Sequence, residues 1–320
     1  MAAIVYSPRY HINLGPHVFP TSKYPRLHDA LVARHLAATS DFVEPAAASW
    51  DDLGLVHTAD YLGKLRDGTM SLEEQARLEL TPTPLVVEGF RLMCGGTVLA
   101  ARFALGLANP PETVGRSDGD PGRRRPTRSL GLHLGGGFHH ACDDHGEGFC
   151  MFNDVAVAIR VLKRDRAISR AAIVDCDVHH GNGTAFIFAG DRSVFTFSMH
   201  QARNYPAFKP PSSLDIDLPD YADDEQYLRH LSGALPRVLA SGPGIVFYLA
   251  GADTFEEDKL GGLSLTKEGL RRRDRLVFAA VRELNLPVVV TLAGGYAQDV
   301  ADTVDIHAAT MEEGMRTFAI

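Results

Sequence analysis

The stretch Ala171–Thr184, AAIVDCDVHHGNGT, most constrains what this chain can fold into. Its first four residues are apolar and end β-branched, and so short a run stopping at a polar cluster predicts a buried strand over Ala171–Val174, with the charged cluster beginning where it stops. Open α/β sheets gather ligands at that edge. Side chains alternate along a strand, so Asp175, Asp177 and His179 point the same way. Two uncompensated carboxylates there are costly, and a bound divalent cation is the usual remedy. Aspartate oxygen with imidazole nitrogen suits zinc ahead of iron or manganese. Taken alone, the same residues also read as a solvated acidic loop with two incidental histidines.

The rest of the chain repeats this rhythm of apolar run and polar stop. Strands are predicted at Ala2–Tyr6, Leu130–Leu134, Ala171–Val174, Ser193–Ser198, Ile245–Ala250 and Pro287–Ala293. Between them lie helical segments at 26–38, 86–107, Val155–Lys163 (capped by Asn153–Asp154), Asp224–Ala240 and Lys267–Leu284. Ser7–Pro25 and Pro206–Pro219 read as proline-punctuated loops, and the loop histidines His11 and His17 stay outside the metal set. The alternation predicts an α/β fold: a single open, mostly parallel sheet with helices on both faces and the site at the C-terminal strand ends. Residues 1–320 are expected to form one catalytic domain. Its segment 108–129, rich in Pro, Gly, Ser and charge, is expected to be a mobile surface insertion.

Composition removes several classes of function. A formal net charge of −8 gives no footprint for nucleic acid, and if the substrate is a protein tail, a basic one suits it. The four cysteines, Cys94, Cys142, Cys150 and Cys176, show no CxxC spacing, so a reducing, cytoplasmic setting is expected. No N-terminal basic region precedes an apolar core, and no segment reaches the ~20 apolar residues that span a bilayer, so neither export nor anchoring is expected. Oligomeric state is not legible.

Four strand ends finish in reactive side chains: His139 and His140, Asp175 to Asn182, Asp253, and Tyr296. A parallel sheet brings such ends to one edge. Catalytic zinc needs three protein ligands and an open position, which Asp177, His179 and Asp253 supply. Of the tandem histidines, one neutral ring can take a proton from water and return it to a leaving amine, while the other is its electrostatic neighbour. Asp175 and Asn182 are the acceptors available to fix their tautomers, and the ring paired with Asn182 is the fitter base. Tyr296, after two glycines, is chemically suited to donate to an oxyanion. Gly148 and Phe149 are expected to wall a narrow apolar channel, with Tyr205 or Phe208 opposite. Ser198 with Asp175 is a candidate monovalent-cation site.

These motifs together resemble the zinc-dependent histone deacetylase family, which shares the arginase-like α/β fold. The matching stretches, in the family's order, are GGGFHH (135–140), GFCMFND (148–154), DCDVHHGNGT (175–184), GADTFEEDKLGGLSLT (251–266) and AGGY (293–296). The form SMHQARNYP (198–206) is most similar to the class IV branch and bacterial amidohydrolase relatives. The resemblance implies one catalytic Zn2+ on Asp177, His179 and Asp253, and His140 as general base and acid beside His139. It implies Asp175 and Asn182 as their partners, Tyr296 as oxyanion donor, and a structural K+ near Asp175, Asp177, His179, Ser198 and Met199. The implied activity removes an acetyl or longer acyl group from a lysine-like amine. Asn182 stands where class I members carry Asp, and the segments 108–129 and 201–219 alter the rim, so the substrate stays open. Alternatives are an acylpolyamine or small-amide amidohydrolase, a two-manganese ureohydrolase of the arginase type, and a silent acyl-lysine binding module.

Overall fold

The computed structural model describes residues 3–108 and 129–319. The segment 108–129 that the sequence marks as an insertion therefore lies, apart from its two end residues, outside the described residues. Among the described residues, eight strands build one sheet: β1 (Ile4–Val5), β2 (Phe42–Val43), β3 (Leu130–His133), β4 (Ala171–Asp175), β5 (Val194–Gln201), β6 (Leu214–Leu218), β7 (Val246–Leu249) and β8 (Val288–Thr291). Their order is β2-β1-β3-β8-β7-β4-β5-β6, and every pairing is parallel. The helices are α1 (Lys23–Ala33), α2 (Trp50–Leu53), α3 (Ala59–Asp67), α4 (Leu72–Leu78), α5 (Pro84–Ala104), α6 (Asp154–Arg164), α7 (Asn182–Ile187), α8 (Asp224–Leu239), α9 (Lys267–Glu283) and α10 (Val300–Phe318).

Strands β3, β4, β7 and β8 are buried at every residue, as parallel strands covered on both faces must be. Helices α5 and α6 pack on one another, and α8, α9, α10 and α1 follow one another in a second row. At 21 residues, α5 is long and apolar enough to cross a membrane, contrary to the expectation that no segment is. Its most apolar window is 72% buried, so it serves here as a core helix. Gly95 lets α5 approach closely: a Cβ at this position would overlap the backbone of Ala46.

One predicted loop is wrong in part. Within Pro206–Pro219, Leu214–Leu218 forms the outermost strand β6, where Asp215 pairs with Ser198 and Asp217 with His200. Alternating Leu-Asp-Ile-Asp-Leu suits an edge strand with one wet face, and the prolines before and after it hid that pattern. The other strand expectations hold with shorter or shifted ends; Ser193–Ser198, for example, runs instead from Val194 to Gln201.

Candidate active site

The four central strands, β3-β8-β7-β4, lie side by side, and each delivers reactive residues to the same edge. After β3, Gly135–Gly137 turn the chain into His139 and His140. Gly137 has φ +87, and a Cβ there would sit 2.7 Å from the Ala293 backbone, so only glycine fits. The turn is hooked to α6: Asp154, fully buried, accepts from the Gly137 and Phe138 amides at 3.0 and 2.7 Å and from Thr97 Oγ1 at 2.5 Å. Asn153 is the cap the sequence predicts, accepting from the Ala156 amide, but Asp154 has this separate anchoring role.

Asp177, His179 and Asp253 converge. Their ligand atoms all lie within 4.8 Å of one another, with His179 Nδ1 3.0 Å from Asp177 Oδ1 and 3.4 Å from Asp253 Oδ2. All three are buried, and Asp253 Oδ2 is a buried oxygen without a hydrogen-bond partner. Burial and the neighbouring Asp177 carboxylate push Asp253 up to about 7. Gly294 leaves room for the group, since a Cβ there would fall inside the Asp253 carboxylate, and its amide donates to Asp177 Oδ2 at 2.8 Å. An unpartnered buried carboxylate oxygen, a second carboxylate and one imidazole form a donor set that fits a single divalent ion such as zinc.

The tandem histidines have different partners. His139 Nδ1 donates to Asp175 Oδ2 at 2.7 Å, and His140 Nδ1 lies 2.6 Å from Asn182 Oδ1. The two Nε2 atoms are 3.1 Å apart. Burial by itself pulls His139 down, but the carboxylates of Asp175 and Asp177 hold it up at about 9. His140 is pushed well below its ordinary value by burial and by the charges on His139 and His179. The carboxylates beside His139 favour its cation, while burial and the flanking histidines favour the neutral form of His140.

Tyr296 follows Gly294 and Gly295. Its amide donates to Asp258 Oδ2 at 2.6 Å, and burial, then Asp177 and Asp253, raise its phenol far above the usual range, which keeps the O–H as a donor. These groups open into a cavity walled by Gly148, Phe149, Tyr205 and Tyr296, with His140 and Asp177 at its inner end. Phe149, at φ +64, stacks near Phe19 and stands edge-on to Tyr296 at 6.0 Å, while Tyr205 stands edge-on to His140 at 5.0 Å. Phe208 does not belong: it is 77% exposed and does not line the cavity, because the chain turns outward after Pro206. His17, left out of the metal set, sits near the outer wall against Phe149.

Ser198 and Met199 are buried on β5, with Ser198 in register with Asp175 on β4; Ser198 Oγ meets His200 Nδ1 at 3.0 Å. A second cluster, His180, His200 and Asp215, lies toward the sheet edge. There His180 Nε2 pairs with Asp215 at 3.2 Å and His200 Nε2 with Asp217 at 3.0 Å, so the carboxylates already satisfy those nitrogens.

Two residues near the site left no trace in the sequence reading. Lys23, at the start of α1, is fully buried and donates to the Ala293 carbonyl at 2.9 Å, bracing the turn before Tyr296. Burial lowers it to about 8, opposed by Asp253, Asp177 and Asp258. Glu147 lies between two glycines and contacts Asn182, Tyr205 and His145. Neither has a local signal: the partners are fixed only by the folded chain.

The chain matches the histone deacetylase domain family over residues 17–311. It is 37% identical to an uncharacterized protein of Picosynechococcus sp., over 95% of each chain. It is 31% identical to histone deacetylase 2 of Arabidopsis thaliana, over 95% of this chain and 78% of the relative. It is 28% identical to the acetoin utilization protein AcuC of Bacillus subtilis, over 83% and 69%. Among solved structures, the HDA15 HD domain superposes with a TM-score of 0.73 at 21% identity, covering 99% of this chain and 94% of that one, which establishes the shared fold.

Proposed function

From the premise that the chain belongs to the histone deacetylase family and carries out amide hydrolysis of the deacetylase kind, we propose that it is a zinc-dependent deacylase acting on a lysine-like amine. The observation that carries this reading is the buried triad Asp177, His179 and Asp253 lying beside the tandem histidines, one hydrogen-bonded to Asp175 and the other to Asn182, at the inner end of an aromatic-walled cavity. Asp177, His179 and Asp253 would hold a divalent ion, which when bound would supply Lewis-acid polarisation of the amide carbonyl and acidify a water.

The chain's own residues do the rest. Phe149 and Tyr205 flank the alkyl stem of the substrate, which an apolar, narrow passage selects. His140 takes the proton of the attacking water, and Tyr296 donates its phenolic hydrogen to the oxygen that gains charge as the carbonyl carbon becomes tetrahedral. The C–N bond then breaks, the proton on the histidine pair passes to the departing amine, and the acyl group leaves as a carboxylate. His139, kept cationic by Asp175, lowers the basicity of its neighbour so that the proton is released again.

We further infer a structural K+ held around Asp175, Asp177, His179, Ser198 and Met199, on the strength of the family resemblance and the adjacent register of Asp175 and Ser198. His180 is engaged by Asp215, which counts against the two-manganese alternative. The paired histidines and Tyr296 count against a silent binding module. Acyl-lysine peptides, acylated polyamines and small amides, offered with acyl chains of increasing length to the zinc-loaded protein, test the reading. Release of free amine that is lost with Asp253→Asn is expected; no turnover of any member would overturn it.

A further inference from the structure

Asn182 poses a problem that a carboxylate at the same position would not. An aspartate accepts with either oxygen, so it holds the N–H of a histidine whichever way it rotates. An amide has one accepting and one donating end, and a half-turn would place its NH2 against His140 Nδ1. That reversed arrangement would favour the other tautomer, with the proton on Nε2 and no lone pair there to receive one from water.

The structure contains a group that blocks the reversal. Asn182 Nδ2 donates to Glu147 Oε1 at 2.9 Å, while Asn182 Oδ1 lies 2.6 Å from His140 Nδ1. A carboxylate only accepts, so the NH2 must face Glu147; the amide oxygen then faces His140, and an amide oxygen also only accepts, so Nδ1 must carry the hydrogen. Glu147 is itself fixed: Tyr205 Oη donates to Oε1 at 2.9 Å, His145 Nε2 meets Oε2 at 3.3 Å, and its backbone pairs with Cys150 in both directions. The His145 contact, followed by those of Tyr205 and Asn182, holds the Glu147 carboxyl below its ordinary range, so it stays an acceptor at neutral pH. Its side chain is 18% exposed, buried enough for the orientation to matter and open enough for the charge to persist.

We propose that Glu147 is a positioning residue that orients the Asn182 amide and thereby holds His140 in the Nδ1-protonated, Nε2-basic tautomer. This rests on the reading of His140 as the general base. The negative charge that a carboxylate at position 182 would place against the imidazole is here moved one hydrogen bond further away, and Tyr205 joins it to the channel wall.

The test uses the zinc-loaded full chain with 15N-labelled histidine, in which the ring nitrogen shifts report the tautomer without any turnover. The wild type is expected to show His140 protonated at Nδ1, and Glu147→Ala a mixture of both tautomers. In parallel, Glu147→Ala is expected to lower kcat by about 10- to 100-fold, the range seen when a group that orients a site residue is lost, with KM moved far less. Tyr205→Phe, which removes only the second contact to Glu147, should leave the tautomer unchanged. Asn182→Asp is the decisive background, because an acid at this position needs no orienting: there Glu147→Ala should neither shift the tautomer nor reduce kcat. An unchanged tautomer in Glu147→Ala, or an equal loss of kcat in the Asn182→Asp background, would overturn the proposal. If the wild type hydrolyses no acyl-amide, the functional reading fails while the nitrogen spectra still decide the role of Glu147.

Discussion

Asp154 offers the sharpest quantitative check on how the site is held. Its carboxylate takes three donors, the amides of Gly137 and Phe138 and the hydroxyl of Thr97, with no exposure to water. Truncation to Ala strands both amides, while the Thr97 hydroxyl can turn to His133 Nδ1. A buried donor left unpaired costs roughly 1–3 kcal/mol, and the freed turn can recover some of that by rotating toward solvent, so a net loss of about 2–4 kcal/mol follows. The carboxylate's charge is not what the site gains from, because burial leaves its pKa above the ordinary value despite those donors. Asp154→Asn should therefore be mild: its oxygen can face the two amides and its NH2 the Thr97 oxygen, whose hydrogen can turn to His133 Nδ1 at 3.0 Å. We expect a loss of about 1 kcal/mol or less for Asn, as for a replaced hydrogen-bond partner. Urea unfolding of the two variants beside the wild type, read as the midpoint at constant m, measures both losses. Activity should fall with stability in the Ala variant, since the same turn carries His139 and His140. Equal losses for Ala and Asn would refute the reasoning, because they would place the value of Asp154 in its charge and not in the amides it holds.

Other outcomes follow from the same geometry. Tyr296→Phe should keep its divalent ion and lose about 10²–10³ in kcat, as oxyanion donors do; metal analysis beside a kinetic assay checks both halves. Gly294→Ala should weaken ion binding by about 10- to 100-fold, because the new methyl group must displace the Asp253 carboxylate, and competition with a coloured chelator reads this directly. Stripping the ion from the wild type should lower Tm by about 4 °C if it is bound at a hundredfold above its Kd. Asp253→Asn should show little further drop on the same treatment.

Much of this arrangement could be read in advance because it is written locally. Each central strand is a short apolar run that stops abruptly at a polar residue, so Asp177, Asp253, His139 and Tyr296 stand out even without knowing the strand order. What the sequence hid depends on distant parts of the chain meeting. Lys23 reads as an ordinary helix-start lysine until α1 is seen to carry it to the carbonyl of Ala293, 270 positions away. Glu147 looks like a solvated loop acid until Asn182, 35 positions on, turns toward it. Phe208 offers a channel nothing but its aromatic type, whereas Tyr205, three residues earlier, has a hydrogen bond to hold it there. β6 escaped because an edge strand needs apolar residues on only one face.

The strand order also ties the centre to the far part of the chain. β7 and β8 follow β3 and β4 in sequence yet lie between them in the sheet. The turn that carries His139 and His140 and the loop that carries Asp177 and His179 are therefore joined through strands that come later in the chain, and a product that stopped short of β7 would lack Asp253 and Tyr296 as well as the wall that holds the two halves side by side.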